Sequence, residues 1–380
     1  MGMTVPSLSS YALWVREMVS ASNGRAGSNQ LFDSSIEEPT GLLQPLVATL
    51  DLSGQGYYRS TFPSGNPLVV DALARRYRVD HGRILVTAGA TAGVHIVCAA
   101  LLRPGDRLLV ERPCFDVLGD IARSVGAQID YLDRDPVTGS IDPAALDAAI
   151  RPATKLVLLT NPNNPTGFLI DRAARMALAE VAQARRVPVL FDEVYAGFSD
   201  EPLQRTLATH DSEWFVSVGS LSKLYGLYAL KCGWIITGAA VHARIAGAYG
   251  RLEGGVSRLS HAVAARVLEA PEPFDAHSRR MVEGARPLVA ARFGALEAEG
   301  LIEGRLPPSG CICFPRLPDG WCDRAFSDFV WKSTGLAVAP GHLFGRPGYL
   351  RIGFGREAGH IEEGLRRLET GLRAYRERHQ

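Results

Sequence analysis

Short apolar runs alternate with segments of helical period between Arg83 and Gly238, and no other feature of the sequence limits the fold as strongly. The runs cover residues 84–87, 107–110, 155–160, 187–191 and 214–218. Strands separated by helices predict an α/β architecture, with a mostly parallel sheet between layers of helices. In open sheets of this kind, ligands bind at the carboxyl ends of the strands. Functional side chains are therefore expected directly after each run.

The length of the chain and a change in its sequence pattern predict two domains and an arm. The 380 residues exceed the roughly 250–300 at which single cores usually divide. Apolar runs at 311–317, 335–341 and 349–355, with helical patterns between them, are typical of a small α+β lobe. We predict an N-terminal arm over residues 1–45 that joins the small domain, a large domain over 46–285 and a small domain over 286–380.

Charge and cysteine usage favour an intracellular protein with a small-molecule partner. The 41 basic and 40 acidic residues nearly cancel, and no block of five basic residues occurs, which argues against nucleic acid as a partner. Six cysteines without a C-x-x-C pair argue against a disulfide scaffold and a structural zinc site, so no metal is expected. The N-terminal residues lack the pattern of an export signal. We predict a cytoplasmic protein.

Residues 84–102 contain no charged side chain and could be mistaken for a membrane span. The segment starts with β-branched residues, is broken by small residues at 87–91 and ends in an alanine-rich stretch. This order predicts a buried strand, a turn and a buried helix instead. No membrane association is expected.

A lysine follows the run 214–218 in the sequence Ser220-Leu221-Ser222-Lys223. One interpretation is an amine that forms a Schiff base, with Ser220 and the cation Lys231 placed to hold a phosphate. The other is the nucleophilic serine of penicillin-binding acyl enzymes. That chemistry needs Ser-Asp-Asn and Lys-Thr-Gly sequences, which the chain lacks. The Schiff base is the favoured hypothesis.

Two further strand ends carry residues that suit an anionic ligand. Gly89, Ala90 and Thr91 open a helix, where small residues and free N–H groups favour a phosphate, although ordinary strand-to-helix packing also needs small residues. Asn164 lies in the sequence NPNNPTG at 161–167, where a rigid turn can present its amide to a ligand oxygen or serve structure alone.

Two charged residues sit in apolar runs, where an unpaired charge is costly. Asp192 ends the run 187–191, and a cationic or protonated ligand nitrogen would be a suitable partner. Tyr195, three residues later, could bond a ligand phenolate or simply pack against the sheet. Arg351 interrupts the apolar run 349–355, and its planar fork suits a carboxylate, with an internal ion pair as the alternative.

Taken together, these segments resemble the class I and II aminotransferases, which are fold type I pyridoxal-phosphate enzymes. The similarity covers roughly residues 50 to 375 by order and spacing of motifs. It implies a large domain with a mostly parallel central sheet sandwiched by helices, a smaller α+β domain, and pyridoxal 5'-phosphate (PLP) as cofactor. It also implies a homodimer, because the family generally builds its site across a subunit interface.

The resemblance implies a role for each motif. Lys223 would anchor the cofactor and carry protons, Asp192 would pair with the pyridine nitrogen, and Tyr195 and Asn164 would contact the phenolic oxygen. Arg351, with Asn164 beside it, would bind the α-carboxylate of an amino-acid substrate. Tyr58, favoured over Tyr57, would reach the phosphate of a neighbouring subunit. The implied cofactor-binding residues are Gly89, Ala90, Thr91, Phe115, Asn164, Asp192, Tyr195, Ser220, Ser222, Lys223, Lys231 and Tyr58.

Two positions depart from the family pattern. Lys231 stands where arginine is usual, which keeps the charge and loses the bidentate geometry toward phosphate. Asp116 follows Phe115, the residue implied to stack on the cofactor ring, and either approaches the substrate entrance or caps the following helix. The second interpretation is favoured.

Transamination of an amino acid, with a second substrate as amino acceptor, is the favoured function. An alternative is elimination, replacement or cyclisation on the same scaffold, as in enzymes similar to capreomycidine synthase. A third hypothesis, a non-catalytic regulator that binds PLP or an amino acid, usually requires an additional DNA-binding domain, and residues 1–45 show no such pattern. Candidate specificity regions are residues 34–38, 57–63 and 254–260.

Overall fold

The computed structural model describes residues 10–50, 64–135, 137–198, 210–253 and 255–379. The helices within these ranges are α1 Ser10–Asn23, α2 Thr40–Ala48, α3 Pro67–Tyr77, α4 Ala90–Leu101, α5 Asp116–Ser124, α6 Pro143–Ala149, α7 Arg172–Arg185, α8 His242–Leu252, α9 Arg258–Glu269, α10 Glu272–Ala298, α11 Asp323–Thr334 and α12 Ala358–His379. The strands are β1 Asn29–Gln30, β2 Ile84–Thr87, β3 Arg107–Arg112, β4 Gln128–Asp133, β5 Thr154–Thr160, β6 Val189–Asp192, β7 Phe215–Ser220, β8 Gly233–Thr237, β9 Ile312–Cys313, β10 Leu336–Ala337, β11 Ala339–Pro340 and β12 Leu350–Gly353.

Seven strands form the main sheet, in the order β2-β8-β7-β6-β5-β3-β4. Strand β8 is antiparallel to both of its neighbours, and the other neighbouring pairs are parallel. The predicted α/β architecture with a mostly parallel sheet is confirmed. The sequence pattern missed β4, because this edge strand leaves several polar side chains at least partly exposed and has no apolar run.

The sheet is buried on both faces. Leu109, Val157 and Phe191 point into one apolar core, which also contains side chains of α3, α7 and α9. Their chain neighbours Leu108 and Leu190 point into a second core with α4, α5 and α8. Because successive strand residues point to opposite faces, continuous apolar runs such as β5 are the expected sequence of a strand covered on both sides.

A third core joins the C-terminal strands and helices to the N-terminal segment. Leu31 and Ile36 are buried in it with Ile352, Leu365 and other residues of β9, β12, α10 and α12. Strand β12 lies between β11 and β9 in an antiparallel sheet, and β1 pairs with β10. Helix α10 runs without interruption through residue 285, where a boundary is predicted. The three domain ranges stay a prediction.

The described ranges also show the character of the helices and the state of the cysteines. Within those ranges, no helix combines the length and apolar character needed to cross a bilayer. All six cysteines lie inside the ranges and are unpaired, and five of them are buried.

Candidate active site

A cavity of about 420 Å³ lies at the carboxyl ends of the parallel strands. Asn164, Asp192 and Lys223 all line it, although they lie at or just after the ends of three different strands, β5, β6 and β7. The carboxyl ends of parallel strands meet at one edge of a sheet, so residues far apart in sequence converge there. The cavity is therefore where the predicted site residues assemble.

One end of the cavity is suited to a phosphate. Gly89 precedes α4 with φ +91° and provides no side-chain cap, so the N–H groups of the first helical turn remain available to an anion. A side chain at Gly233 would come within 2.4 Å of the Gly89 carbonyl carbon, so the turn packs directly on β8. This same cavity is lined by the predicted cofactor-binding residue Ser222 and by the residues predicted to hold phosphate: Gly89, Ala90, Thr91, Ser220 and Lys231.

The amine of Lys223 has two hydroxyl partners. Its Nζ atom donates to Ser34 Oγ at 3.0 Å and to Tyr228 Oη. Burial alone would favour the neutral amine, but the neighbouring Tyr195 and Tyr228 outweigh it and raise the pKa of Lys223 above its ordinary value. The amine thus points into the cavity, and in the ligand-free protein it is an ammonium.

The Asp192 carboxylate has little stabilisation of its own. Burial raises its pKa to about 6, against the opposing effects of the Val194 N–H, 3.2 Å from Oδ1, and of Lys223. A carboxylate with so few partners is destabilised when ionised, and a cationic ligand nitrogen would stabilise it.

The substitution Asp192→Asn is expected to stabilise the ligand-free protein near pH 8 by about 1–3 kcal/mol. The folded-state pKa of about 6 exceeds the ordinary 3.8, so the wild-type protein loses stability as the pH rises from about 4 to 6. Below about pH 4 the carboxyl is protonated in both states and the two proteins should converge. Urea unfolding across this pH range measures the difference, and an unchanged difference at all pH values would contradict the assignment.

Tyr195 provides an unused hydroxyl. The side chain is 3% exposed, and its buried Oη atom has no hydrogen-bond partner within the described residues. Asn164 is also buried, and its Oδ1 atom accepts from Arg351 at 3.1 Å, which leaves its Nδ2 donor for a ligand. Phe115 lines the cavity beside both and meets Tyr11 edge to face. A buried polar atom without a partner is rare and points to a missing ligand.

Arg351 is a fully buried cation that also lines the cavity. Its guanidinium donates to Asn164 Oδ1, Phe32 O and Tyr11 Oη, while Nε has no partner. Within the described part of the chain, no carboxylate forms a salt bridge with Arg351. The predicted alternative, an internal ion pair of Arg351, therefore finds no carboxylate among those residues. A ligand carboxylate would supply the negative charge that Arg351 lacks.

A buried ion pair supports the turn that carries Asn164. Arg134 and Glu111 are both inaccessible to solvent and lie 2.9 Å apart. Glu111 accepts from Thr160 and Asn163, and Arg134 donates to three carbonyl groups, including that of Thr160. Thr160 Oγ in turn accepts from the Asn164 N–H at 3.2 Å. The position of Asn164 thus depends on charges that do not reach the cavity.

Some predicted residues lie elsewhere. Tyr58 and Tyr57 fall outside the described residues, as does the whole region 57–63. The described part of region 254–260 does not line the cavity, whereas Ser34 does. Asp116 does not cap its own helix α5, for which Phe115 is the N-cap residue. Its Oδ2 atom instead accepts from the Tyr11 N–H at 3.0 Å, in the first turn of α1.

The structure adds residues that the motifs did not indicate. Asp33, Tyr11 and Tyr228 line the cavity, as does an apolar wall on α1 and α5 formed by Val15, Val117, Leu118 and Ile121. Tyr228 is five residues from Lys223, but nothing in its local sequence marks a role. Tyr11 and Val15 share one face of α1 at helical spacing, a pattern that also describes an ordinary packed helix.

The cavity residues fit PLP. The uncapped helix end suits the phosphate, Asp192 suits the ring nitrogen, and the unpartnered Tyr195 Oη suits the phenolic oxygen. Lys223 presents the amine that the aldehyde requires. For comparison, no group of three His, Cys, Asp or Glu side chains that could hold a metal occurs among the described residues.

Comparison with known proteins identifies the family. The model of "Aminotransferase class I and II" matches residues 37–368. An arginine–pyruvate transaminase of Pseudomonas aeruginosa is 26% identical, with 88% of this chain and 87% of the relative covered. A capreomycidine synthase of Streptomyces vinaceus is 26% identical, with 94% and 92% covered.

A solved structure agrees with this result. The crystal structure of a PLP-dependent aminotransferase from Streptococcus suis is similar with a TM-score of 0.82 and 25% identity, over 95% of this chain and 97% of that one. The family match spans most of the sequence and includes the cavity-lining residues from Ala88 to Arg351, whereas those between Tyr11 and Ser34 precede it. The chain belongs to the class I and II aminotransferase family and is a PLP-dependent transferase.

Proposed function

We propose that Lys223 binds PLP as a Schiff base and that the enzyme transfers the amino group of an amino acid to a keto acid. The observation that carries this proposal is the convergence, in one cavity, of the Lys223 amine, a carboxylate with few partners and a guanidinium that forms no salt bridge among the described residues. PLP, when bound, supplies the electron sink that makes the substrate α-proton acidic.

The residues that would hold PLP divide by the part of the cofactor they suit. The first turn of α4, with Thr91, Ser220, Ser222 and Lys231, would bind the phosphate. Asp192 would keep the ring nitrogen protonated, and Tyr195 and Asn164 would donate to the phenolic oxygen. Phe115 would stack on the ring. Lys231 binds phosphate as a point charge, so we expect weaker retention of the cofactor than an arginine would give.

The substrate would be oriented by its carboxylate and deprotonated by the freed lysine. Arg351 would take up the α-carboxylate, with Asn164 beside it. Lys223 would accept the α-proton and return it, as a positioned amine does in general base catalysis. Ser34 and Tyr228 are the hydroxyl groups that hold this amine on the cavity side.

The assembly and location of the enzyme are part of the same proposal. We infer a homodimer in which Tyr58 reaches the phosphate of the other subunit, as the family resemblance implies. A cytoplasmic location is supported by six unpaired cysteines. The expected partners are an amino acid and a second, acceptor substrate.

Cyclisation or elimination is a second candidate, favoured by the likeness to capreomycidine synthase over 94% of the chain. The PLP-binding residues are shared by both chemistries, so products must separate them. The purified enzyme, loaded with PLP, should convert one equivalent of an amino acid to its keto acid and form pyridoxamine phosphate in the same amount. A cyclic or eliminated product without pyridoxamine phosphate would replace transamination with the second candidate.

A further inference from the structure

Asp33 is a carboxylate in the cavity that the proposed reaction leaves without a role. Its chain neighbours both serve the reaction, since the Phe32 carbonyl accepts from Arg351 and the Ser34 hydroxyl accepts from Lys223. The Asp33 side chain lines the cavity and is 30% exposed. It therefore lines the same cavity as Arg351 and Lys223 and is electrostatically coupled to both.

The hydrogen bonds of Asp33 leave room for one more donor. Oδ1 accepts from the Ser35 N–H and hydroxyl at 3.2 and 2.8 Å, and Oδ2 accepts from Arg356 at 3.1 Å. An ionised carboxylate has about four acceptor positions, so Oδ2 can accept a second bond. Burial raises the pKa of Asp33, but Lys223, Ser35 and Arg356 outweigh it, and the pKa is below its ordinary value. Asp33 is thus ionised at neutral pH.

The charges around Asp33 change when the cofactor binds. In the ligand-free protein, Lys223 is the largest single stabilising influence on the Asp33 carboxylate. When Lys223 is bound to the cofactor, or is freed as the neutral amine that accepts the α-proton, its ammonium no longer faces Asp33. The cations that remain near Asp33 are Arg356 and Arg351, and Arg351 would pair with the substrate α-carboxylate. A cation supplied by the substrate would restore the balance.

The charges of the cavity also disfavour an acidic substrate side chain. Among the described residues that line it, the cations are Lys223, Lys231 and Arg351, and each already has a proposed partner. The wall formed by Val15, Val117 and its neighbours on α5 is apolar. Such a surface suits the methylene groups of a long side chain whose charged end is bound elsewhere.

We propose that Asp33 selects amino acids whose aliphatic side chain ends in a guanidinium or amine. This inference rests on the proposed function and adds the substrate class to it. Arg356 pairs with Asp33 through one hydrogen bond and leaves Oδ2 able to accept another from the substrate. Asp33 is a specificity-determining residue that contacts the substrate side chain and takes no part in proton transfer.

Arginine and citrulline provide a matched pair of probes, because they differ by a cationic NH₂ group in place of a neutral oxygen. Their dissociation constants are measured from the shift of the visible absorption band of the PLP-loaded enzyme, and kcat/KM from keto-acid formation. The wild-type enzyme should prefer arginine by about 10- to 100-fold, the effect of a hydrogen bond between charged groups. Asp33→Asn keeps the size and the bonds to Ser35, and should remove most of this preference.

The variant Arg356→Gln separates recognition from structural pairing. This variant breaks the Asp33–Arg356 ion pair by removing the cation, so Asp33 stays ionised and loses its neighbouring positive charge. The preference for arginine should then increase by about 3- to 10-fold. If Asp33 served only to pair with Arg356, both variants would change the preference in the same way. Thermal unfolding of both proteins shows whether the lost pair has altered the fold.

The results distinguish this inference from the proposed function. A visible band and turnover of citrulline, without a preference for arginine over citrulline or for lysine over norleucine, would overturn the role of Asp33 alone. Absence of a visible band with PLP would overturn the proposed function. Opposite changes in Asp33→Asn and Arg356→Gln would support the inference.

Discussion

Replacing Lys223 with alanine is expected to lower turnover by at least roughly 10³-fold and to eliminate the visible Schiff-base absorption of the PLP-loaded protein. The effect is large because one amine would both bind the cofactor covalently and carry the α-proton. The two hydrogen bonds that are lost go to the neutral hydroxyl groups of Ser34 and Tyr228, so the fold should persist. Absorbance, single-turnover rates and circular dichroism measure the three expectations.

Lys231 is the matched control, because it is the other lysine that lines the cavity. Lys231→Ala should weaken cofactor binding by about tenfold through loss of one phosphate contact, yet retain the visible band when PLP is in excess. Borohydride reduction followed by peptide mapping should label Lys223 in the wild-type enzyme and in this variant. A label on Lys231 in the wild-type enzyme, or a visible band that survives in Lys223→Ala, would show that Lys223 is not the residue that forms the Schiff base.

The second large effect is expected from Glu111, whose substitution by alanine should lower the free energy of unfolding by about 3–5 kcal/mol. It would leave Arg134 buried without a counter-charge and would remove the acceptor for Thr160 and Asn163. The turn that presents Asn164 should loosen as well, so cofactor affinity should fall even where the protein remains folded. Urea unfolding and PLP titration measure the two effects.

The exposed pair Arg185–Asp147 offers a control for this prediction. Its two bonds are both 2.8 Å, so its geometry is as good, but both side chains are almost half exposed. Exposed pairs contribute little because water screens them, so Arg185→Ala should change stability far less than Glu111→Ala. Equal losses in the two variants would show that burial of the Glu111 pair carries no additional energy.

Much of the fold was predictable because it depends on local pattern. The β2 run was predicted with its observed bounds, and the run 155–160 differs from β5 by one residue, since β-branched and aliphatic runs must be buried on both faces of the sheet. Strands β4 and β8, and the reversed direction of β8, were not predicted. Strand β4 lacks an apolar run, and the direction of β8 depends on pairing with β2 and β7, which are far apart in sequence.

Some residues of the candidate site could likewise be predicted from local sequence, and others could not. Lys223, Asp192 and Asn164 were indicated by position, because a polar side chain directly after an apolar strand lies at the ligand-binding edge. Asp33 and Tyr228 were not, because their neighbours in the cavity come from distant segments and their own sequence is ordinary. Asp116 was expected to act within its own helix and instead bonds the N–H of Tyr11.

The sequence by itself therefore determined the α/β architecture, the lysine that would carry the chemistry and the family, because burial period and strand-end position are local properties of the chain. Only the tertiary structure decided which side chains surround that lysine. It brought Ser34 to its amine, left Arg351 and Tyr195 each with an atom that has no hydrogen-bond partner in the described part of the chain, and placed Asp33 in the cavity. These relations arise where the N-terminal segment packs against the C-terminal strands, and contacts across more than a hundred residues leave no periodic signal in the sequence.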